Sequence, residues 1–271
     1  MSTVDAAPVA GGYDPSFLGL PVPLPVAIAG RDTVELPYLH FTVVLDTQRR
    51  LASVTAVNID GNALLDLPRT GRWDLDPRVP VSAQAGPALY SDNDFDRGHL
   101  VRRRDPGWGD AATARAATEQ TFVYTNAAPQ VDRFNQGEDL WVGLEDHVLA
   151  YADAQDVRVS VFTAPVLAEG DPLYRGVEIP RRFWKVAAWT SDGTLRAAGF
   201  VLDQSDLLDD GSPKAVPPLG GFRTFQAPIG QIGELADIDF GPLLAADVLE
   251  PVTALAYESW RELRSTADIV L

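Results

Sequence analysis

Asp94 to Gly109 read DFDRGHLVRRRDPGWG, and residues 121–145 read TFVYTNAAPQVDRFNQGEDLWVGLE. In the first stretch, Asp96, Arg97, Gly98 and His99 place an imidazole, a guanidinium and a glycine side by side. His99 is the side chain suited to take a proton near neutral pH. Gly98 permits a backbone conformation or close approach that a Cβ would block. Arg97, Arg102, Arg103 and Arg104 add fixed positive charges over a short span. Guanidinium groups match phosphate oxygens bidentately, so the functional reading is a phosphate-directed general base. The structural alternative is a hydrogen-bonded histidine beside a solvated arginine face paired with Asp94, Asp96 and Asp105.

Working outward, the 271 residues are 46% apolar and 22% charged, a globular composition that is neither disordered nor fibrous. The absence of cysteine excludes disulfides, thiolate metal sites and cysteine nucleophiles. A three-histidine zinc site would consume His40, His99 and His147, every imidazole in the chain. A net charge of −16 argues against a surface that coats nucleic acid or anionic lipid non-specifically, though it allows a local basic patch. No apolar run is long enough to cross a membrane, so no membrane partner is expected. The first twenty-five residues lack Lys and Arg and show no export signal, which makes the cytoplasm the default location and leaves secretion to another route.

Residues 1–35 read as an extended N-terminal arm, with Pro21, Pro23 and Pro25 alternating with apolar residues, and residues 36–271 as one domain. His40 to Asp46 and Leu51 to Ile59 predict a hairpin, and the Gly/Pro-rich residues 60–95 a long loop of functional character. Ala111 to Gln120 predicts a short helix and Thr121 to Thr125 a strand. Leu140, Leu144 and Val148 form an apolar stripe that predicts a helix over 139–153. Strands are expected over 157–167, 183–190 and 195–202, the last two joined by the turn SDG, and a final short helix from Pro228. Strands and helices mixed without βαβ alternation predict an α+β fold.

Together the two stretches resemble the DNA/RNA non-specific endonucleases, sugar-non-specific nucleases with a ββα-metal (His-Me finger) site. DRGHL with its arginines, TN-x-x-PQ, FNQG and LW-x-GLE follow in the family's order, and weaker similarity extends over residues 37–245. The resemblance implies a central, mostly antiparallel sheet flanked by helices. It also implies Mg²⁺-dependent hydrolysis of DNA and RNA with little sequence preference and 5′-phosphate products, with Mn²⁺ as a substitute metal and a homodimer compatible with the pattern. Carried over by position, His99 matches the general base and Asn135 the direct Mg²⁺ ligand. Glu145 matches an acid that holds metal-bound waters. Arg97, next to the base, is a candidate phosphate clamp or orienter, and Asn126 is expected near the cleft. Arg102, Arg103 and Arg104 are candidate substrate contacts.

The sequence departs from the family's usual spacing, because Trp141 and Glu145 stand six and ten residues after Asn135. Asn135 also reads as an N-cap, with Glu138 three residues on in a capping-box pattern. Leu149 occupies the position where the family places a basic residue, so Arg72 or Arg133 would have to supply that contact. His40 and His147 are read as structural. Trp73, Trp108, Trp141, Trp184, Trp189 and Trp260 are read as core or rim aromatics, with base stacking a second reading for Trp108. A rival function is a catalytically silent module that keeps the fold and binds nucleic acid or protein, favoured by the negative charge and the altered spacing.

Overall fold

A computed structural model describes residues 11–28, 30–131, 157–209, 223–249 and 260–270. The strands are β1 (Val26–Ala27), β2 (Thr33–Tyr38), β3 (Phe41–Asp46), β4 (Leu51–Asp60), β5 (Phe95–His99), β6 (Ala127–Val131) and β7 (Arg158–Pro165). They continue with β8 (Leu173–Tyr174), β9 (Val177–Glu178), β10 (Arg182–Ser191), β11 (Thr194–Asp203), β12 (Arg223–Gln226), β13 (Ile238–Asp239) and β14 (Arg261–Glu262). The described helices are α1 (Pro87–Tyr90), α2 (Ala111–Gln120), α3 (Ser205–Asp209) and α4 (Ile229–Ala236). The fold is α+β, as expected, with one large antiparallel sheet and few helices.

That sheet has eight strands among the described residues, in the order β14-β12-β11-β10-β7-β4-β3-β2. Each pairing in it is antiparallel. β10 and β11 meet through Asp192 and Gly193, both at positive φ, the geometry that a two-residue hairpin turn demands. Phe41, Val43, Val57, Val161, Phe183 and Phe200 belong to one apolar core. Val54, Ala56, Phe162, Trp184, Val186 and Val201 belong to a second. Both faces of the sheet are thus covered, which is why LASVTAVNID in β4 is buried almost throughout instead of on alternate residues.

α4 covers the second core with Ile229, Ile232, Gly233 and Ala236, spaced to form one helical stripe. Its first N–H donates to the Asp247 carboxylate at 2.7 Å, and Asp237 ends it in the left-handed conformation. Tyr13, Phe17, Leu18 and Val22 of the N-terminal segment pack into the same core. The first core carries Leu89, Leu100, Val101 and Ala128, so the hairpin of β5 and β6 rests on the opposite side of the sheet. No described helix is long and apolar enough to cross a membrane.

Two expectations are corrected. Residues 33–35, at the end of the expected arm, join residues 36–38 in β2, the outer strand of the sheet, where Pro37 is tolerated because one edge needs no ladder donor. The strand expected at Thr121–Thr125 begins instead at Ala127, after a 3₁₀ turn over Tyr124–Asn126. The helix expected over 139–153 lies outside the described residues.

β5 and β6 pair antiparallel, with His99 opposite Ala127 and Gly98 opposite Ala128, although residues 100–126 separate them in sequence. Asn126 closes that excursion. Its Oδ1 accepts the Val101 N–H at 2.9 Å, and its Nδ2 donates to the carbonyls of Val101 and Thr121 at 2.9 and 3.0 Å. The Leu100 N–H donates to the Asn126 carbonyl at 3.0 Å. The chain leaving His99 is therefore tied to the chain entering β6. Asn126→Ala should strand buried polar groups and lower stability by about 1–3 kcal/mol, read as a lower urea midpoint. An unchanged midpoint with lost activity would show instead that Asn126 acts on substrate.

Candidate active site

His99 stands at the end of β5, where the ladder stops and the chain turns into the arginine run. Its neighbour Gly98 is there for space. A Cβ at residue 98 would lie 2.1 Å from the Gln130 side chain, which is buried against the hairpin. The close approach anticipated for this glycine is thus made across the ladder, one residue from the imidazole.

The imidazole is enclosed by aromatic rings. Trp73 lies 4.5 Å away, centroid to centroid, and Phe122 meets it edge-on at 4.9 Å. Trp73 in turn contacts Phe122 and Tyr124. His99 is half-buried as a residue, yet its Nε2 is fully enclosed with no hydrogen-bond partner among the described residues. Burial pushes its pKa down to about 3, helped by the charges of Arg69, Arg102, Arg103 and Arg97. The ring is therefore neutral throughout the physiological range.

The arginines frame this imidazole from two segments. Arg97 is exposed on β5, with its guanidinium carbon 5.8 Å from the Trp73 ring centroid. The turn after His99 is shaped by the buried Asp105, whose carboxylate accepts the Arg102 N–H at 3.3 Å. Arg103 donates to the Leu67 carbonyl at 2.7 Å, joining the arginine run to the preceding loop. Arg104 is exposed in the same turn. Burial, Arg104 and Arg69 lower the Arg103 pKa, a sign that like charges are crowded here. Arg72 is exposed and pairs with Asp74 at 3.3 Å, a weak surface contact.

The loop from Leu67 to Asp74 is held to the site by specific contacts. Gly71 lies flat on Phe122, and a Cβ there would fall 1.8 Å from that ring. The Asp74 N–H donates to the Phe122 carbonyl, and the Tyr124 N–H donates back to the Asp74 carbonyl. Arg69 thereby comes to 5.7 Å from the Phe122 centroid. Arg69 and Trp73 are site residues that sequence reasoning missed. Arg69 gave no signal beyond its place in a Gly-punctuated loop, whereas Trp73 also opens the family-like pattern W-x-x-DPR-x-P; the contacts that bring the loop to His99 are tertiary.

The remaining candidates separate clearly. Asn126 lies beside the site with its amide fully used by backbone groups, so it positions the turn after His99. His40 sits at positive φ, its Nδ1 bonded to the Pro106 carbonyl and its ring stacked on Trp108 at 3.5 Å. Trp108 also donates to the Asn58 carbonyl at 2.7 Å, so both rings anchor the far end of the arginine turn to the sheet. Asn135, Glu145, Arg133 and His147 lie outside the described residues. Among those described, no group of three or more His, Asp or Glu side chains could cage a metal ion.

Known proteins align with this chain over most of its length. The uncharacterized protein y4fB of Sinorhizobium fredii is 39% identical over 285 residues, spanning 95% of this chain but 42% of that protein. Nuclease C1 of Cunninghamella echinulata is 25% identical across 64% of this chain and 72% of its own length. The human mitochondrial endonuclease G is 28% identical across 66% of this chain and 60% of its own length. The fold is also that of a solved structure of the EndoG/EndoGI complex, with a TM-score of 0.59 and 19% identity over 77% of this chain and 86% of that one. Residues 25–247 match the DNA/RNA non-specific endonucleases, and the chain belongs to that family.

Proposed function

We propose that this chain is a Mg²⁺-dependent endonuclease that hydrolyses phosphodiester bonds of DNA and RNA with little sequence preference. The observation that carries this reading is an imidazole enclosed by Trp73 and Phe122 at the end of β5, with Arg97 on the same strand and Arg102 and Arg103 in the turn that follows. Membership of a nuclease family and similarity to Nuclease C1 and endonuclease G support it.

A backbone phosphate seated against Arg97, Arg102 and Arg103 brings its phosphorus beside His99. The imidazole takes a proton from the attacking water as the water oxygen bonds to phosphorus and the bond to the 3′ oxygen breaks. The strand downstream of the cut keeps the phosphate on its 5′ oxygen, and the leaving 3′ oxygen takes up a proton from solvent to become a hydroxyl. Burial is the main cause of the low His99 pKa and persists in the complex. The arginine contribution does not, because bound phosphate offsets those charges and raises the basicity of the imidazole when substrate is present. Contacts to phosphate carry no direct base information, which fits a site without sequence preference.

A Mg²⁺ ion would stabilise the charge that develops on the leaving 3′ oxygen. The described residues hold no acidic cage, which suits an ion that keeps most of its waters and takes few protein ligands. Asn135 is the proposed direct ligand, and Glu145 the acid that steadies its waters. Mn²⁺ should substitute.

Replacing His99 by Ala should leave the fold intact and reduce nicking of plasmid DNA by roughly 10²–10⁴-fold. EDTA should abolish the parent's activity and added Mg²⁺ restore it. Activity within a few-fold of the parent in His99→Ala would remove the base from the mechanism. Asn135→Asp separates ligand from helix cap, since aspartate caps as well as asparagine. A changed Mg²⁺ requirement with slower turnover is expected; unchanged metal dependence and full activity would assign Asn135 to capping.

A further inference from the structure

Residues 73–80 read WDLDPRVP, and the buried carboxylate of Asp76 in this stretch gathers donors from its own loop and from β2. Arg78 reaches it with Nε at 3.0 Å from Oδ1 and a terminal nitrogen at 2.6 Å from Oδ2. The Arg78 backbone N–H donates to the same Oδ1 at 2.9 Å. The Tyr38 hydroxyl of β2 donates to Oδ2 at 2.5 Å and lies 2.8 Å from the Thr125 hydroxyl. Burial raises the Asp76 pKa, but the bonds from Arg78 and Tyr38 outweigh it and hold the carboxyl below its usual value. A phenol has one proton to give, and an ionised carboxylate only accepts. The Thr125 hydroxyl is therefore the donor to Tyr38, and a chain of hydrogen bonds runs from Thr125 through Tyr38 to Asp76. Gln84 locks the Asp76 backbone in turn, accepting its N–H and donating to its carbonyl, both at 2.8 Å.

A buried ionic cluster adds little net stability over apolar side chains of similar volume, because its charges lose their hydration. It does fix geometry, since every bond in it has a direction. Its members come from β2, from the loop before β5 and from the 3₁₀ turn at Tyr124–Asn126. The last two segments also reach His99. Trp73, at the start of WDLDPRVP, contacts the imidazole at 4.5 Å. Thr125 follows Tyr124, whose ring contacts Trp73, and precedes Asn126, whose amide holds the turn after His99. The cluster thus sets the Trp73 wall and the Asn126 clamp against each other, with β2 as their common support.

We propose that the Asp76 carboxylate is a positioning residue for the general base. With Arg78, Tyr38 and Thr125 it fixes the spacing between the Trp73 ring and the Asn126 turn, and so the enclosure and aim of the His99 imidazole. This rests on the nuclease reading above and deepens it. Asp76 acts through Trp73 and Asn126; it binds no substrate and moves no proton.

The test compares the full-length parent with Asp76→Asn, a change of equal size that sets an amide donor among donors. With Mg²⁺ and plasmid, kcat should fall by roughly 10²-fold, the scale of a displacement of about 1 Å at a reacting group, while KM stays near the parent's. Diethyl pyrocarbonate acylates neutral, accessible imidazoles. It should label His99 several-fold faster in the variant, read by peptide mass spectrometry well below the unfolding temperature. Tyr38→Phe removes one hydroxyl and should move both readouts the same way by less, so it carries the test if Asp76→Asn does not fold. Val186→Ala, in the second core, should lower the unfolding temperature and leave kcat and labelling unchanged. Parent-like kcat or parent-like labelling in a folded Asp76→Asn would overturn the assignment and leave the nuclease reading standing. Equal changes in Val186→Ala would do the same, because they would trace to stability alone. A parent protein that cuts no nucleic acid would overturn both.

Discussion

The proposed function depends on keeping one imidazole unprotonated among positive charges and beside a polyanionic substrate. A bare imidazole in water is half protonated not far below neutral pH. A carboxylate partner would raise its pKa further. Here burial against Trp73 and Phe122 removes the solvation that a charged ring needs, and the arginines add repulsion. In the proposed reaction the same arginines attract the phosphate, so one set of charges serves binding and proton affinity together, and substrate arrival relaxes the repulsion at the step that needs a base.

That arrangement is only as good as its geometry, and geometry comes from the β5–β6 hairpin. Gly98 lets Gln130 pack across the ladder, and Asn126 ties the turn after His99 to the entrance of β6. His40 and Trp108 hold the other end of the arginine turn to the body through Pro106 and Asn58. The hairpin itself rests on the first core through Leu100, Val101 and Ala128. The chain from sheet to hairpin to imidazole uses buried, satisfied contacts at each step.

Much of this was legible in the sequence. DRGH marked the segment that ends at the enclosed imidazole, β-rich runs marked β3, β4, β10 and β11, and the Ser-Asp-Gly turn between the last two adopts the positive-φ pair that such residues favour. Where the reading slipped, a tertiary effect intervened. Pro21, Pro23 and Pro25 suggested an arm up to residue 35, whereas residues 33–38 pair as an edge strand that tolerates Pro37. TFVYT looks like a strand by pattern, but the Asn126 amide captures the Thr121 carbonyl and the chain turns before pairing begins. Asn126, expected near the cleft, lies beside His99, and its amide bonds three backbone groups there. Arg69 could not be read at all, since its place depends on Gly71 meeting Phe122 across fifty residues of chain.

The central claim is that burial and surrounding guanidinium groups hold His99 neutral. Nitrogen-15 NMR of the imidazoles, followed from pH 8 to pH 4.5 without substrate and assigned with a His99→Gln variant, measures this directly. The account predicts that the His99 nitrogens keep the shifts of a neutral ring throughout that range, with protonation only near pH 3. A His99 titration with a midpoint between pH 6 and 7 would contradict it.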